Sequence, residues 1–140
     1  MGGRKMTIKE NENFNNISLY TLSINEKNLK KAGKSYHMNN RNNRFKNVLE
    51  IEREKLKIDK SFLVDKGHKN GQEVHVVTTN GIIFIYNFMK LFSCSQNALV
   101  TVLIARPNQV TRLYNACNLT PDKEIINKCF EHVKQGLNNC

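Results

Sequence analysis

The stretch GQEVHVVTTNGIIFIYN, residues 71–87, decides how this chain folds. Residues 72–79 are β-branched and half alternating, residues 82–88 are largely apolar, and Asn80-Gly81 stands between them. Asn-Gly between two such runs is the strongest short-range hairpin signal, because a type I′ turn requires φ > 0 at both central positions. A two-residue loop at 80–81 sets the register. It pairs Thr79 with Ile82, Val77 with Phe84, His75 with Tyr86 and Glu73 with Phe88. On the other face Thr78 meets Ile83, Val76 meets Ile85 and Val74 meets Asn87. Two ionisable groups, Glu73 and His75, therefore share a face with Tyr86 in strands otherwise suited to burial.

Downstream, ALVTVLIA (98–105) reads as a third strand and completes an antiparallel meander. Pro107 ends it, since proline cannot donate to a ladder. Residues 109–117 suit either a short helix or a further extended segment. The last element is a helix with Thr120 as N-cap, Pro121 at its first position and Asp122 in its first turn. Its stripe of Ile126, Phe130, Val133 and Leu137 predicts packing on one sheet face, which leaves the other face open. His132 reads as a surface residue.

Upstream, Phe45, Leu49 and Leu56 predict a helix over 45–55, although Leu56-Lys57-Ile58 equally begins a strand. Residues 1–47 are rich in Asn and Lys and read as a mostly flexible basic arm, with ISLYTLSI (17–24) as a short strand or 26–34 as a docked helix. The expected organisation is an arm over 1–47 and an α+β domain over 48–140. That domain is a small antiparallel sheet, a meander with the Asn-Gly hairpin, carrying one or two packed helices.

The chain has 140 residues, of which 39% are hydrophobic, so one domain with a modest core is the expectation. Lys and Arg outnumber Asp and Glu by 22 to 12. Residues 1–60 carry 14 basic and 7 acidic side chains, and from Lys27 to Lys46 inclusive there are seven basic residues and no acid. Such a charge speaks to partners rather than to fold, and nucleic acid is the commonest polyanion that fits. Cysteines 94, 117, 129 and 140 form no CxxC pair and no zinc spacing, which points to reduced thiols in a cytoplasmic protein. Cys117 and Cys129 suit packing as small apolar groups. Residues 1–25 lack the apolar core of a secretory signal, and IIFIYNFMKLF is too short and too polar to span a bilayer.

Reactive side chains gather around the meander: His68, Glu73, His75, Thr78, Thr79, Tyr86, Arg106, Thr111, Arg112 and Tyr114. A basic sheet face with His, Arg and Tyr suits RNA cleavage without a metal. There the 2′-OH attacks the adjacent phosphate, a base takes its proton, an acid protonates the 5′ oxygen, and cations stabilise the phosphorane. Histidine supplies base or acid near neutral pH, and arginine clamps phosphate oxygens in pairs. An ordinary packing role stands against each: a satisfied strand histidine, a sheet-edge Glu73, core tyrosines. No Gly-rich phosphate loop, metal box or Ser-His-Asp order is present, so no cofactor or metal is expected.

The block VDKGHKNGQEVHVVTTNGIIFIYN with LVTVLIARPNQVTRLY resembles small domains of bacteria, phages and mobile elements in the barnase–EndoU–colicin–RelE superfold of ribonucleases and ribonuclease-like toxins. The resemblance covers residues 64–115 and implies an endoribonuclease site on the open sheet face. The matching positions are His68, Glu73, His75, Thr78, Arg106, Arg112 and Tyr114. His75 would be general base or acid, Arg106 and Arg112 the phosphate clamps, Tyr114 or His68 the partner acid or orienter, and Glu73 a further member of the site. Thr78, Thr111 and Arg112 would contact RNA, and the basic charge of the arm, which lies outside the resemblance, adds Lys30, Lys31, Lys34, Arg41 and Arg44 as further contacts. An antitoxin or immunity protein is the partner such nucleases imply. The chain departs from the pattern in the longer, more apolar FMKLFSCSQNA and in Leu113-Tyr114, where the family carries a Tyr pair. The rival reading is a binding module of the same fold without catalysis, such as a phage inhibitor of host defence; a structural protein with an assembly tail is a third.

Overall fold

The computed structural model describes residues 6–11, 57–68, 71–92 and 98–136. The expected helix at 45–55, the arm beyond residue 11, and Leu137 lie outside these residues. The described elements are β1 (Thr7–Glu10), β2 (Ile58–Asp65), β3 (Gln72–Thr78), β4 (Ile82–Asn87), α1 (Phe88–Phe92), β5 (Leu99–Ile104), α2 (Pro107–Ala116) and α3 (Lys123–Lys134). The strands form one sheet in the order β1-β2-β3-β4-β5, antiparallel throughout. The class is α+β. Strands β1 and β2 are additions to the expected meander, and β1 draws part of the expected arm into the sheet.

The hairpin forms where Asn-Gly predicts it, but with a three-residue loop. Val77 pairs with Ile83, Val76 with Phe84, His75 with Ile85, Val74 with Tyr86 and Glu73 with Asn87. The Gly81 N–H donates to Thr78 O at 3.1 Å, and Gly81 takes φ +76° while Asn80 stays at negative φ. This is a turn closed by a left-handed glycine rather than a type I′ loop. The Thr78 hydroxyl reinforces it by accepting from the Ile82 N–H at 3.2 Å. One residue of register exchanges every partner, so Ile85, not Tyr86, stands beside His75.

Both sheet faces are buried. Phe62, Val64, Val77, Ile83 and Ile85 form a core with Val110, Leu113 and Tyr114 of α2 and Ile125 and Cys129 of α3. On the opposite face Val74, Val76, Phe84, Tyr86 and Val102 are buried as well. The expected open face is therefore not present, and Glu73 and His75 lie on the face that α2 and α3 cover.

Local chemistry explains the helices. Pro107 starts α2, and Gln109 reaches back so that its Oε1 accepts from the Arg106 N–H at 2.7 Å. The N-cap of α3 is Asp122, two residues later than expected, with its carboxylate accepting from the Glu124 N–H at 3.0 Å. The buried stripe of α3 is Ile125, Cys129 and His132, while Phe130 is 58% exposed. The expected stripe is thus rotated by one residue and His132 is buried, not at the surface. The hairpin turn is the reason. A Cβ on Gly81 would come within 3.0 Å of Cys129 Sγ, so the turn leaves room only for a small side chain there. Cys129 is fully buried, and burial pushes its thiol up to about 11.

Two irregularities re-aim side chains, as β-bulges do. The register of β2 slips between Ile58 and Lys60, leaving Asp59 as the extra residue. Its carboxylate accepts the Tyr114 hydroxyl proton. The β4–β5 register slips between Ile85 and Tyr86, which leaves Val100 extra on β5 beside Thr101.

Candidate functional site

A pocket of about 400 Å³ opens between the sheet and α2. Its floor is apolar: Val64 of β2, Ile83 and Ile85 of β4, and Leu103 of β5, with Ile8 of β1 at one side and Leu113 of α2 above. The polar lining is Lys66, Glu73, His75, Thr101, Gln109 and Arg112, and Met6 and Val100 complete it. The volume lies in the range of small-molecule sites, and a few polar groups converging on apolar walls is their usual form. The bulge at Val100 brings two successive residues of β5 into one lining.

Glu73 and His75 are two apart on β3 and so share a face. His75 Nε2 lies 3.0 Å from Glu73 Oε1, and each side chain is 16% exposed. The same Oε1 receives Lys66 Nζ at 3.1 Å. Burial holds the His75 imidazole below its ordinary pKa, against the hydrogen bond and the negative charge of Glu73, which pull it up. Near neutral pH the ring is therefore uncharged. A neutral ring whose Nε2 donates to Glu73 carries its lone pair on Nδ1. That nitrogen makes no hydrogen bond among the described residues.

Arg112 projects from α2 over the same pocket, where its Nη2 meets Met6 Sδ at 3.1 Å. Lys66, Arg112 and Glu73 together leave a surplus of one positive charge beside a neutral imidazole. The arrangement can attract an anion and accept a proton next to it.

Other expected site residues stand elsewhere. Tyr114 is buried, packs edge-on against Phe62 with ring centroids 5.1 Å apart, and gives its hydroxyl to Asp59. Burial first, then that bond, drive its pKa far upward. Arg106 lies past the end of β5, next to Ala105, whose N–H bonds Gly81 O at the hairpin turn. His75 is level with Thr101, five residues back along the chain and two strands away, so Arg106 is offset from it by about 16 Å along the strands at ~3.3 Å per residue. Thr78 is fully buried, and the Thr111 hydroxyl donates to Pro107 O at 2.9 Å within its own helix. His68 sits in the β2–β3 loop and does not line the pocket. Its ring lies against Gly71, where an added Cβ would meet Nδ1 at 2.8 Å. Lys30, Lys31, Lys34, Arg41 and Arg44 lie outside the described residues.

The pocket also holds residues the sequence reading passed over: Lys66, Thr101, Gln109, Met6 and Ile8. Only Thr101 carried a signal, as the polar residue inside LVTVLI. Lys66 stands in a turn, which Asp65 shapes by accepting from the Gly67 N–H at 2.8 Å and from Gln72 Nε2 at 3.3 Å. Among the described residues no three His, Cys, Asp or Glu side chains converge as metal ligands, and no helix is long and apolar enough to cross a membrane.

No family model, curated protein or solved structure matches the chain.

Proposed function

We propose that this protein is a metal-independent endoribonuclease of the barnase–EndoU–colicin–RelE type, working from the pocket between the sheet and α2. The observation that carries the reading is the Glu73–His75 contact, with a His75 Nδ1 that bonds nothing among the described residues, beside Lys66 and Arg112. His75 Nδ1 takes the proton of a 2′-OH, and the oxygen attacks the neighbouring phosphorus. Arg112 stabilises the charge that gathers on the phosphorane oxygens, where preorganised donors act most strongly. The 5′ oxygen leaves with a proton from the Lys66 ammonium, and a 2′,3′-cyclic phosphate remains. Glu73 holds the ring in the tautomer that exposes Nδ1. RNA is the substrate, and a dedicated antitoxin or immunity protein would be the partner.

The test is incubation of the purified chain with mixed RNA, with and without EDTA, followed by analysis of the ends. EDTA-resistant cleavage to cyclic phosphate ends that is lost in His75→Ala supports the reading. Equal activity of wild type and His75→Ala overturns it. The apolar weight of the pocket favours a second reading, an RNA- or protein-binding module without turnover. That reading predicts salt-sensitive RNA retention and no product.

A further inference from the structure

The pocket has two ends of different chemistry. Glu73, His75, Lys66 and Arg112 make one end ionic. Across the sheet, His75, Ile85 and Thr101 stand abreast on β3, β4 and β5. At ~4.8 Å per strand Thr101 is about 10 Å from His75. Gln109 stands in the first turn of α2, five residues after β5 ends and one helical turn before Arg112 and Leu113, which sets it on the β5 side of the pocket with Thr101 and Leu103.

Gln109 is fixed in orientation. Its Oε1 is occupied by the Arg106 N–H at 2.7 Å, so its amide NH2 is the group left for the pocket. That NH2 and the Thr101 hydroxyl make no side-chain hydrogen bond among the described residues. Both line a pocket whose floor here is Ile85 and Leu103. A flat, apolar-faced ligand with a polar edge satisfies such a surface: the faces meet the aliphatic floor, and the edge meets Gln109 and Thr101. An anionic group on the same ligand would reach Arg112.

We infer that the uncharged end of the pocket is a subsite for one nucleobase, read at its exocyclic edge by Gln109 and Thr101. The inference rests on the endoribonuclease reading for its polymer substrate but not for its geometry. With its oxygen engaged, the Gln109 amide can only donate, so it bonds the keto edges of uracil and guanine and is left unpaired by the amino edges of cytosine and adenine, while the Thr101 hydroxyl serves either edge. A site built to bond one edge rejects the other because its own group is then left unpaired.

The deciding variant is Gln109→Glu. Glutamate keeps an oxygen for the Arg106 N–H, as capping residues at this position do, and replaces the pocket donor with an acceptor. Thr101→Val removes the hydroxyl and keeps the shape. Two measurements are made on the full chain: the base found at the cleaved ends of mixed RNA, and binding of the four nucleoside 3′-monophosphates followed by NMR. Wild type should favour uridine and guanosine by about tenfold in both. Gln109→Glu should shift the preference toward cytidine and adenosine, and Thr101→Val should weaken binding of all four without changing their order. Cleavage with no keto preference, or with a preference unchanged in Gln109→Glu, overturns the subsite and leaves the nuclease reading standing. Binding with a Gln109-dependent preference but no cleavage overturns the nuclease reading and leaves the subsite. Neither cleavage nor binding overturns both.

Discussion

His75 Nε2 stands 3.0 Å from Glu73 Oε1, two residues away on the same face of β3, and the two side chains are equally secluded. The pair sits at the margin of a hydrophobic core, and that setting decides the charge of the imidazole. Burial disfavours the cation, while Glu73 favours it.

The first prediction concerns pH. Cleavage should fall on acidification with a midpoint below 6.5, the ordinary value for histidine. Glu73→Gln removes the group that pulls the pKa up, so the midpoint should move lower still while the rate at neutral pH drops. An NMR titration of the His75 Cε1 proton follows the same shift without any assay of activity. The sign for stability agrees. A folded pKa below the unfolded one means that the unfolded chain binds protons first, so stability declines as pH falls beneath 6.5.

The two arginines of LIARPNQVTR should behave differently. Arg112 lines the pocket and Arg106 stands at the hairpin end of the sheet. Arg112→Ala should lower RNA cleavage by about 10²-fold, the usual effect of removing one preorganised donor. Arg106→Ala should change it by less than a tenth as much. Initial rates at a fixed salt concentration compare them, and equal losses would place the phosphate at the other end of the sheet.

Tyr114 is a structural test. Its hydroxyl joins α2 to the bulged Asp59. Tyr114→Phe leaves the half-buried carboxylate without its donor and should cost about 1–3 kcal/mol in urea unfolding. Cleavage by the folded variant should persist, which a catalytic acid would not allow. The folded pKa of the phenol is raised above its ordinary 10.0, so wild-type stability is intact below that pH and is lost as pH rises beyond it. The phenylalanine variant should show a flatter alkaline profile.

Gly81→Ala should destabilise the protein by about 2 kcal/mol or more, since a left-handed residue with a Cβ costs roughly 1–2 kcal/mol before any contact. The new methyl would also press on Cys129 Sγ at 3.0 Å. Thermal unfolding measures it. A companion Asn80→Ala should be milder, because Asn80 does not take positive φ.

Strands β3, β4 and β5 and helix α3 were legible in the sequence because their signals are local. β-branched runs, an Asn-Gly break, a proline after LIA and a polar cap act within a few residues of chain. The α+β class followed from them. Of β2 only the start was legible, in the alternation of Leu56-Lys57-Ile58, and β1 was not legible at all: Thr7–Glu10 is four residues long, and it becomes a strand only by pairing with Phe62–Asp65, more than fifty residues away. The stripe of α3 also misled. Phe130 and Val133 are the more hydrophobic choice, yet the space under Gly81 admits Cys129.

By itself, then, the sequence determined that residues 72–87 turn back on themselves and that Glu73 and His75 point the same way, since alternation along a strand needs no partner. Tertiary structure alone decided what stands beside them. Asn80-Gly81 is compatible with a two-residue loop or with a three-residue loop closed by glycine. The three-residue loop seats Gly81 against α3 and moves Tyr86 to the far face, so that His75 faces Ile85, Thr101 and the overhanging Arg112. That choice depends on burying both faces of the sheet at once, a condition no short stretch of sequence contains.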